Sequence, residues 1–468
     1  MNIQFCGAAG AVTGSSHLIT LDDGYKILLD CGLYQGDDKD FENFNRNWYF
    51  EPSEINCVIV SHAHIDHTGR LPKLVKDGFM GEIVCTHATR DLAALMLMDS
   101  AKIQERDAEY MNKKKGRWEY GEFLPLYTTR DIMPCINSMI GVGYEHWHPI
   151  DEHIDVFFRD TGHILGSASI VLKIKKTDGS KNIIFGFSGD IGRPNRPILR
   201  DPIPIMPCDY LICESTYASK KHTSKPDEEH RFLKIIEETC IKQKGKLLIP
   251  AFSVGRTQEI VYMLDILETY GKLPRIPVYV DSPLAVNATQ VFQSHPECFD
   301  AETLEYMLFD ANPFGFNSLK YVRHVKQSKQ INRLKDACII ISSSGMANAG
   351  RIKHHINNNI ENPNTTILIV GYCAEGTLGY HLRNGDETVK IFGRKKQVNA
   401  NVEVMSSFSA HADQDEIMDF LSEQDKTQLK DIFLVHGIPK RQVVLQEALE
   451  NDGFRKVHIP SLGETIEL

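Results

Sequence analysis

The chain has no long apolar run. No stretch approaches the roughly 20 residues that a membrane-spanning helix needs, so no membrane partner is expected. Its opening residues, Met1 to Ala11, carry neither a basic segment nor an apolar core of the kind that directs export, and no signal peptide is read there. Nor is there a Cys-x-x-Cys pair: the 11 cysteines are scattered singly, and an odd number cannot close a complete disulfide framework. Reduced thiols in a cytoplasm are the expectation. Internal repeats, low-complexity tracts and a Pro/Gly/Ser-rich linker are missing too, so the blocks of the chain should pack together rather than hang on a tether. A positive excess is also lacking. The net charge of -10 ordinarily argues against a nucleic-acid partner. Charge local to a site outweighs that average, however, and bound divalent cations oppose it.

What is present is an ordinary globular composition, 42% hydrophobic and 24% charged, over 468 residues, enough for roughly two or three domains. Short strand-like runs at Ile3 to Cys6, Ser16 to Leu21, Lys26 to Cys31, Cys57 to Ser61 and Ile83 to Thr86 make a β-rich start. One long helix is expected from about residue 89 to 115, and strands resume at Ile154 to Phe158, Ala168 to Ile174 and Ile183 to Ser188. From about residue 211 strands alternate with helices, which implies a parallel sheet covered on both faces.

The most informative segment is Ser61-His62-Ala63-His64-Ile65-Asp66-His67, following the apolar run Cys57 to Val60. Extended backbone repeats with period two, so His62 and His64 should fall on one side of the chain and chelate one ion. Asp66 and His67, where the chain turns toward a helix, would face a second position, as in a two-metal hydrolytic centre. Imidazole and carboxylate without thiolate favour zinc, with manganese or iron as alternatives.

Further ligands are sought where His or Asp follows a strand. His163 in Thr161-Gly162-His163, Asp190 in Ser188-Gly189-Asp190 and His436 in Val435-His436-Gly437 all qualify. They complete two sets: His62, His64 and His163 on one metal, Asp66, His67 and His436 on the other, with Asp190 bridging. Asp30 after Ile27 to Leu29 reads equally as a turn carboxylate or as the group that holds a ligand histidine in its tautomer. His354-His355 and His146-Trp147-His148 lack an acid at useful spacing and read as surface or packing residues.

Leu29-Asp30-Cys31-Gly32, the His62 to His67 cluster, Thr161-Gly162-His163 and Ser188-Gly189-Asp190 resemble, in that order, the four motifs of the metallo-β-lactamase superfamily. Cys213-Glu214-Ser215-Thr216-Tyr217, Ala410-His411-Ala412-Asp413 and His436 resemble the hallmark positions of its β-CASP branch, the nucleic-acid-processing enzymes. The resemblance spans nearly the whole chain. It implies an α/β fold: a metallo-β-lactamase αβ/βα sandwich carrying an inserted β-CASP domain of mainly parallel sheet. The implied boundaries are 1–210 for the first part of the sandwich, 211–395 for the insertion and 396–468 for the return, with the metal centre in a cleft between the two domains. His rather than Val at position 436 is similar to the RNA-cutting members, among them the endonuclease of messenger RNA 3′-end processing and its bacterial relatives.

The chemistry implied is phosphodiester hydrolysis by a water activated between two Zn2+ ions, with Asp66 in the catalytic centre, His411 as general acid and Glu214 as the carboxylate that orients it. The expected partner is RNA, single-stranded, and the candidate assembly is a homodimer. Arg256 at a helix start, Ser344 in the Ser342-Ser343-Ser344-Gly345 turn and Ser409 are candidate RNA contacts. Endonucleolytic cutting is favoured, because the long C-terminal extension typical of the exonucleolytic J-type ribonucleases is missing; N-terminal KH modules of the archaeal kind are missing too, so sequence specificity is expected to come from the cleft or from partners. The alternatives are a 5′-to-3′ exoribonuclease and a hydrolase of small esters of the glyoxalase or lactonase kind; a catalytically dead RNA-binding subunit would have lost ligands that are all present here.

Overall fold

A computed structural model describes residues 1–36, 41–115, 122–176, 180–219, 221, 228–405 and 410–468. The chain divides into two compact units, Met1–Lys221 with Ala410–Leu468, and His222–Ser409.

The first unit is built on two seven-stranded sheets. One runs in the order Thr465–Glu467, Asn2–Gly7, Ser16–Thr20, Lys26–Leu29, Cys57–Ile59, Glu82–Thr86, Met139–Val142. The other runs Val457–His458, Asp431–Val435, Tyr210–Glu214, Ile183–Phe187, Ala168–Ile174, Ile154–Asp160, Trp147–Pro149. Their facing sides share one core in which Phe5, Ile27 and Ile59 of the first sheet meet Phe158, Ile170, Phe187 and Phe433 of the second. Full burial of such a side chain stabilises the fold by roughly 1.5–3 kcal/mol. The outer face of the second sheet is covered by Gln414–Phe420 and Pro439–Asn451 through Ile417, Phe420, Leu445 and Leu449. The long helix His87–Lys115 packs on Glu82–Thr86 and Met139–Val142 of the first. This is the expected αβ/βα sandwich.

The strands that matter for the site run the same way. Lys26–Leu29, Cys57–Ile59 and Glu82–Thr86 are mutually parallel, as are Ile183–Phe187, Tyr210–Glu214 and Asp431–Val435. Their carboxyl ends therefore deliver Asp30, the His62 to His67 cluster, Asp190, Glu214 and His436 to one rim of the sandwich.

The second unit carries a wholly parallel six-stranded sheet, ordered Leu319–Tyr321, Val278–Val280, Cys338–Ser342, Lys246–Pro250, Thr366–Ile369, Asn401–Val404. Every residue of Lys246–Pro250 and Cys338–Ser342 is buried, as expected of parallel strands covered on both faces. A separate hairpin, Thr388–Ile391 with Arg394–Gln397, lies outside that sheet.

The unit boundaries differ from those expected at 210/211 and 395/396. Tyr210–Glu214 belongs to the first unit because it pairs on both sides with first-unit strands. Asn401–Val404 belongs to the second because it pairs with Thr366–Ile369, so the chain leaves that unit only after residue 409. Among the described residues no helix is long and apolar enough to cross a membrane. All eleven cysteines are buried and free.

Candidate metal centre and acid pair

Nine side chains converge at the rim of the first unit. The strand Cys57–Ile59 stops before Ser61, so loop rather than strand geometry brings His62 Nε2 and His64 Nδ1 to 3.1 Å. His163 Nε2 lies 3.2 Å from the same His64 nitrogen. On the other side, Asp66 and His67 occupy the single helical turn Ile65–Thr68, and His67 Nε2 lies 3.2 Å from His436 Nε2, which is 3.5 Å from Asp66 Oδ2. Asp190 stands between the groups: Oδ2 is 3.5 Å from His62 Nε2 and 3.4 Å from His163 Nε2, while Oδ1 is 3.3 Å from His67 Nε2.

These separations fit a cation at the centre of each set. A tetrahedral ion with bonds of about 2.0–2.1 Å to nitrogen spaces its ligands about 3.3–3.4 Å apart. The donor atoms of His62, His64, His163 and Asp190, and those of Asp66, His67 and His436, all fall within 4.8 Å of one another in their sets. Asp190 Oδ1 is buried without a hydrogen-bond donor, an arrangement that costs several kcal/mol unless a cation compensates it.

The imidazoles are aimed from behind. Ser61 Oγ donates to Asp30 Oδ2 at 2.9 Å and stands 3.0 Å from His62 Nδ1, so it accepts that N–H. His67 Nδ1 is 2.6 Å from Asp30 Oδ2, whose carboxylate also accepts from the Ser61 N–H and from Ser15 Oγ. His163 Nδ1 is 3.2 Å from the Ala410 carbonyl. Thr216 Oγ1 donates to the His436 carbonyl and lies 2.9 Å from His436 Nδ1. In all four rings Nδ1 is held from behind and Nε2 faces inward, which fixes their orientation. Ser61 and Thr216 were not singled out from the sequence. Ser61 adjoins the cluster and was there to be found, whereas Thr216 meets His436 only through the pairing of Tyr210–Glu214 with Asp431–Val435.

Backbone at the rim is tightly constrained. Asp30 and His436 take φ of 56° and 54°, and Gly189 takes 56°. A Cβ on Gly437 would stand 2.3 Å from Ser215 Oγ and 2.7 Å from the Ser215 carbonyl, so only glycine lets the chain leave His436 at this angle.

Glu214 and His411 form a pair beside this cluster. Glu214 is buried, accepts from the Ile191 N–H at 2.7 Å and the Thr216 N–H at 3.1 Å, and holds Oε1 3.2 Å from His411 Nδ1. The same His411 nitrogen is 3.9 Å from Asp190 Oδ2. Burial opposes a charge on His411, but the Glu214 carboxylate, aided by Asp190 and Asp66, overcomes it and lifts the pKa to about 9. The ring stacks on Tyr217 with centroids 5.9 Å apart. Elsewhere burial drives the pKa of His62, His64 and His163 down, reinforced by the neighbouring imidazoles of His67 and His411, which keeps these rings neutral. For His67, burial is outweighed by Asp190 and Asp30, and its pKa stands well above the ordinary value.

Of the three candidate RNA contacts, two lie in the second unit. Arg256 opens the helix Arg256–Thr269 in the second unit, buried, with its guanidinium against Glu259. Ser344 is also in the second unit, its N–H donating to the Ala349 carbonyl at 3.3 Å. Ser409 lies outside the described residues. His355 does have an acid partner, at long range: its Nε2 is 2.7 Å from buried Asp281, which also accepts from Ser328 and Arg351.

Comparison with known proteins agrees with the geometry. Residues 9–165 match the metallo-beta-lactamase superfamily, 257–382 the Beta-Casp domain, and 395–460 the Zn-dependent metallo-hydrolase RNA specificity domain. The chain is 32% identical over 467 residues to a ribonuclease of Thermus thermophilus, covering 100% of both chains. It is 30% identical to a transcription termination factor of Methanosarcina mazei, over 99% of this chain and 70% of that one. It is also 30% identical to cleavage and polyadenylation specificity factor 73 of Drosophila melanogaster, over 95% of this chain and 61% of that one. A crystal structure of an Enterococcus faecalis protein of unknown function shares the fold, with a TM-score of 0.54 at 10% identity over 100% of this chain and 99% of that one.

Proposed function

The chain belongs to the β-CASP family of metallo-β-lactamase-fold ribonucleases and is a metal-dependent hydrolase of RNA; within that class we propose that it cuts single-stranded RNA internally, with zinc as its metal and His411 as general acid. The observation that carries the assignment of roles is the Glu214–His411 pair, with His411 Nδ1 3.9 Å from the Asp190 carboxylate that stands beside both ligand sets. His62, His64 and His163 would hold one ion, Asp66, His67 and His436 the other, with Asp190 between them. When bound, the two ions supply a nucleophile from water at neutral pH and positive charge against the phosphate oxygens.

The protein's own groups then handle the leaving oxygen. Glu214 Oε1 accepts Nδ1–H of His411 and keeps the ring charged, so Nε2–H is the proton available to the departing ribose oxygen. The carboxylate cannot drift, because two backbone N–H groups hold it. A buried acid of this kind is of little use in opening a thioester, whose thiolate leaves without a proton. The eleven buried free thiols support a reducing, cytoplasmic setting.

The test is His411→Ala. RNA cleavage should fall by about 10²–10⁴-fold while both ions stay bound, measured by cleavage of an end-labelled unstructured RNA and by metal analysis of the same sample. Unchanged cutting would remove the general-acid role, and a parent protein that opens thioesters or lactones but leaves RNA intact would overturn the ribonuclease reading.

A further inference from the structure

The hairpin of the second unit combines features that stability alone does not favour. Its turn residues Phe392 and Gly393 have φ of 50° and 79°, the type I′ geometry of two-residue hairpins. Asn or Asp suits the first of these positions, and a bulky side chain there is strained. The Phe392 ring is nonetheless 50% exposed, its centroid 4.7 Å from His354 and 5.3 Å from the Lys353 ammonium.

The ladder is equally unusual. Lys390 stands directly opposite Lys395, a like-charge pair on one face that destabilises a hairpin, while Arg394, opposite Ile391, falls on the other face. Lys396 is engaged by Glu361 and His381 by Asp386, but Lys390, Arg394 and Lys395 have no ion partner among the described residues. Next to this face lies a cavity of about 390 Å³ whose lining includes Lys353, His381, Val389 and Lys390. In a chain of net charge -10, such a gathering of cations around an exposed ring is a local reversal of sign.

Like charges held together beside a polar cavity are stabilised by an anion, and an exposed ring next to them offers a stacking platform. We propose that this hairpin and the adjoining cavity form an accessory site for the phosphate backbone of single-stranded RNA, with Lys353, Lys390 and Lys395 on phosphates and Phe392 stacked on a base. The inference rests on the ribonuclease reading and adds to it a grip on substrate supplied by the second unit alone.

The test uses the full-length, metal-loaded enzyme on an unstructured RNA, with steady-state cleavage followed over a range of salt. Lys390→Gln with Lys395→Gln should raise KM by about tenfold and reduce the salt slope of kcat/KM by about 1.4, the value for two lost single-strand phosphate contacts. Phe392→Asn should raise KM by at least about fivefold. Both variants should melt at or above the parent temperature, because each relieves a local conflict. That combination, weaker substrate binding with undiminished stability, is what a merely structural hairpin would not give. Variants that cut RNA with the parent's KM and salt slope overturn the accessory site while leaving the ribonuclease reading intact, and would direct attention to an acidic protein partner instead. A parent that neither binds nor cuts RNA overturns both.

Discussion

His67 Nε2 and His436 Nε2 lie 3.2 Å apart although 369 residues separate them in the chain. One half of the candidate centre is therefore local, drawn mainly from residues 62 to 163, while the other half waits on a strand near the end of the first unit.

The two halves should come apart under mutation. His436→Ala is expected to lose the second ion and keep the first, since His62, His64 and His163 are untouched. Metal analysis after dialysis reads this directly; a variant that keeps both ions would show that His436 is not a ligand.

Thr216→Val should act through His436 rather than on substrate. It removes the hydroxyl that holds Nδ1 and the His436 carbonyl, and loss of such a supporting contact typically costs about 10–100-fold in metal affinity. A chelator titration of parent and variant gives the ratio, and a ratio near one would mean that the hydroxyl does not orient the ring.

In the second unit, Asp281 is fully buried and accepts from Ser328 at 2.5 Å, Arg351 at 2.6 Å and His355 at 2.7 Å. Burial opposes its charge, but these partners hold its pKa below the usual value. Asp281→Ala leaves His355 and Arg351 without their counter-charge, and should destabilise by about 3–5 kcal/mol. Chemical denaturation of the full chain measures it; a change within experimental scatter would mean the cluster is dispensable.

Asp160 supplies a pH dependence. Burial, only partly offset by the Gly162 N–H and by Arg200, raises its pKa from 3.8 to about 7. The folded state then holds a proton that the unfolded state releases, so stability falls as pH rises between those values and levels off above about 7. Asp160→Asn keeps an acceptor for the Gly162 N–H but carries no charge. Its melting temperature should exceed the parent's by a margin that grows from about pH 4 to about pH 7. A margin independent of pH would place the titration elsewhere.

How much of this was legible in the sequence depends on how local each feature is. The ligand cluster, the residues that follow strands and the long helix could be read because their periodicity and turn chemistry are contained in short windows. The strands Met139–Val142 and Trp147–Pro149 went unread, being too short to show a pattern. Unit boundaries were displaced because Tyr210–Glu214 and Asn401–Val404 look alike as isolated strands, and only their partners assign them. The His411–Glu214 pair spans 197 residues and entered through family resemblance, while the Asp281–His355 contact, across 74 residues, was not visible at all.

Glu214 precedes the inserted unit and His411 follows it, so the two ends of a 222–409 excursion are joined at the acid pair itself. A ribosome making this protein thus releases the cluster at 62–67 early and His411 and His436 late. The candidate constellation therefore closes only once the segment that follows the inserted unit has folded back onto Tyr210–Glu214.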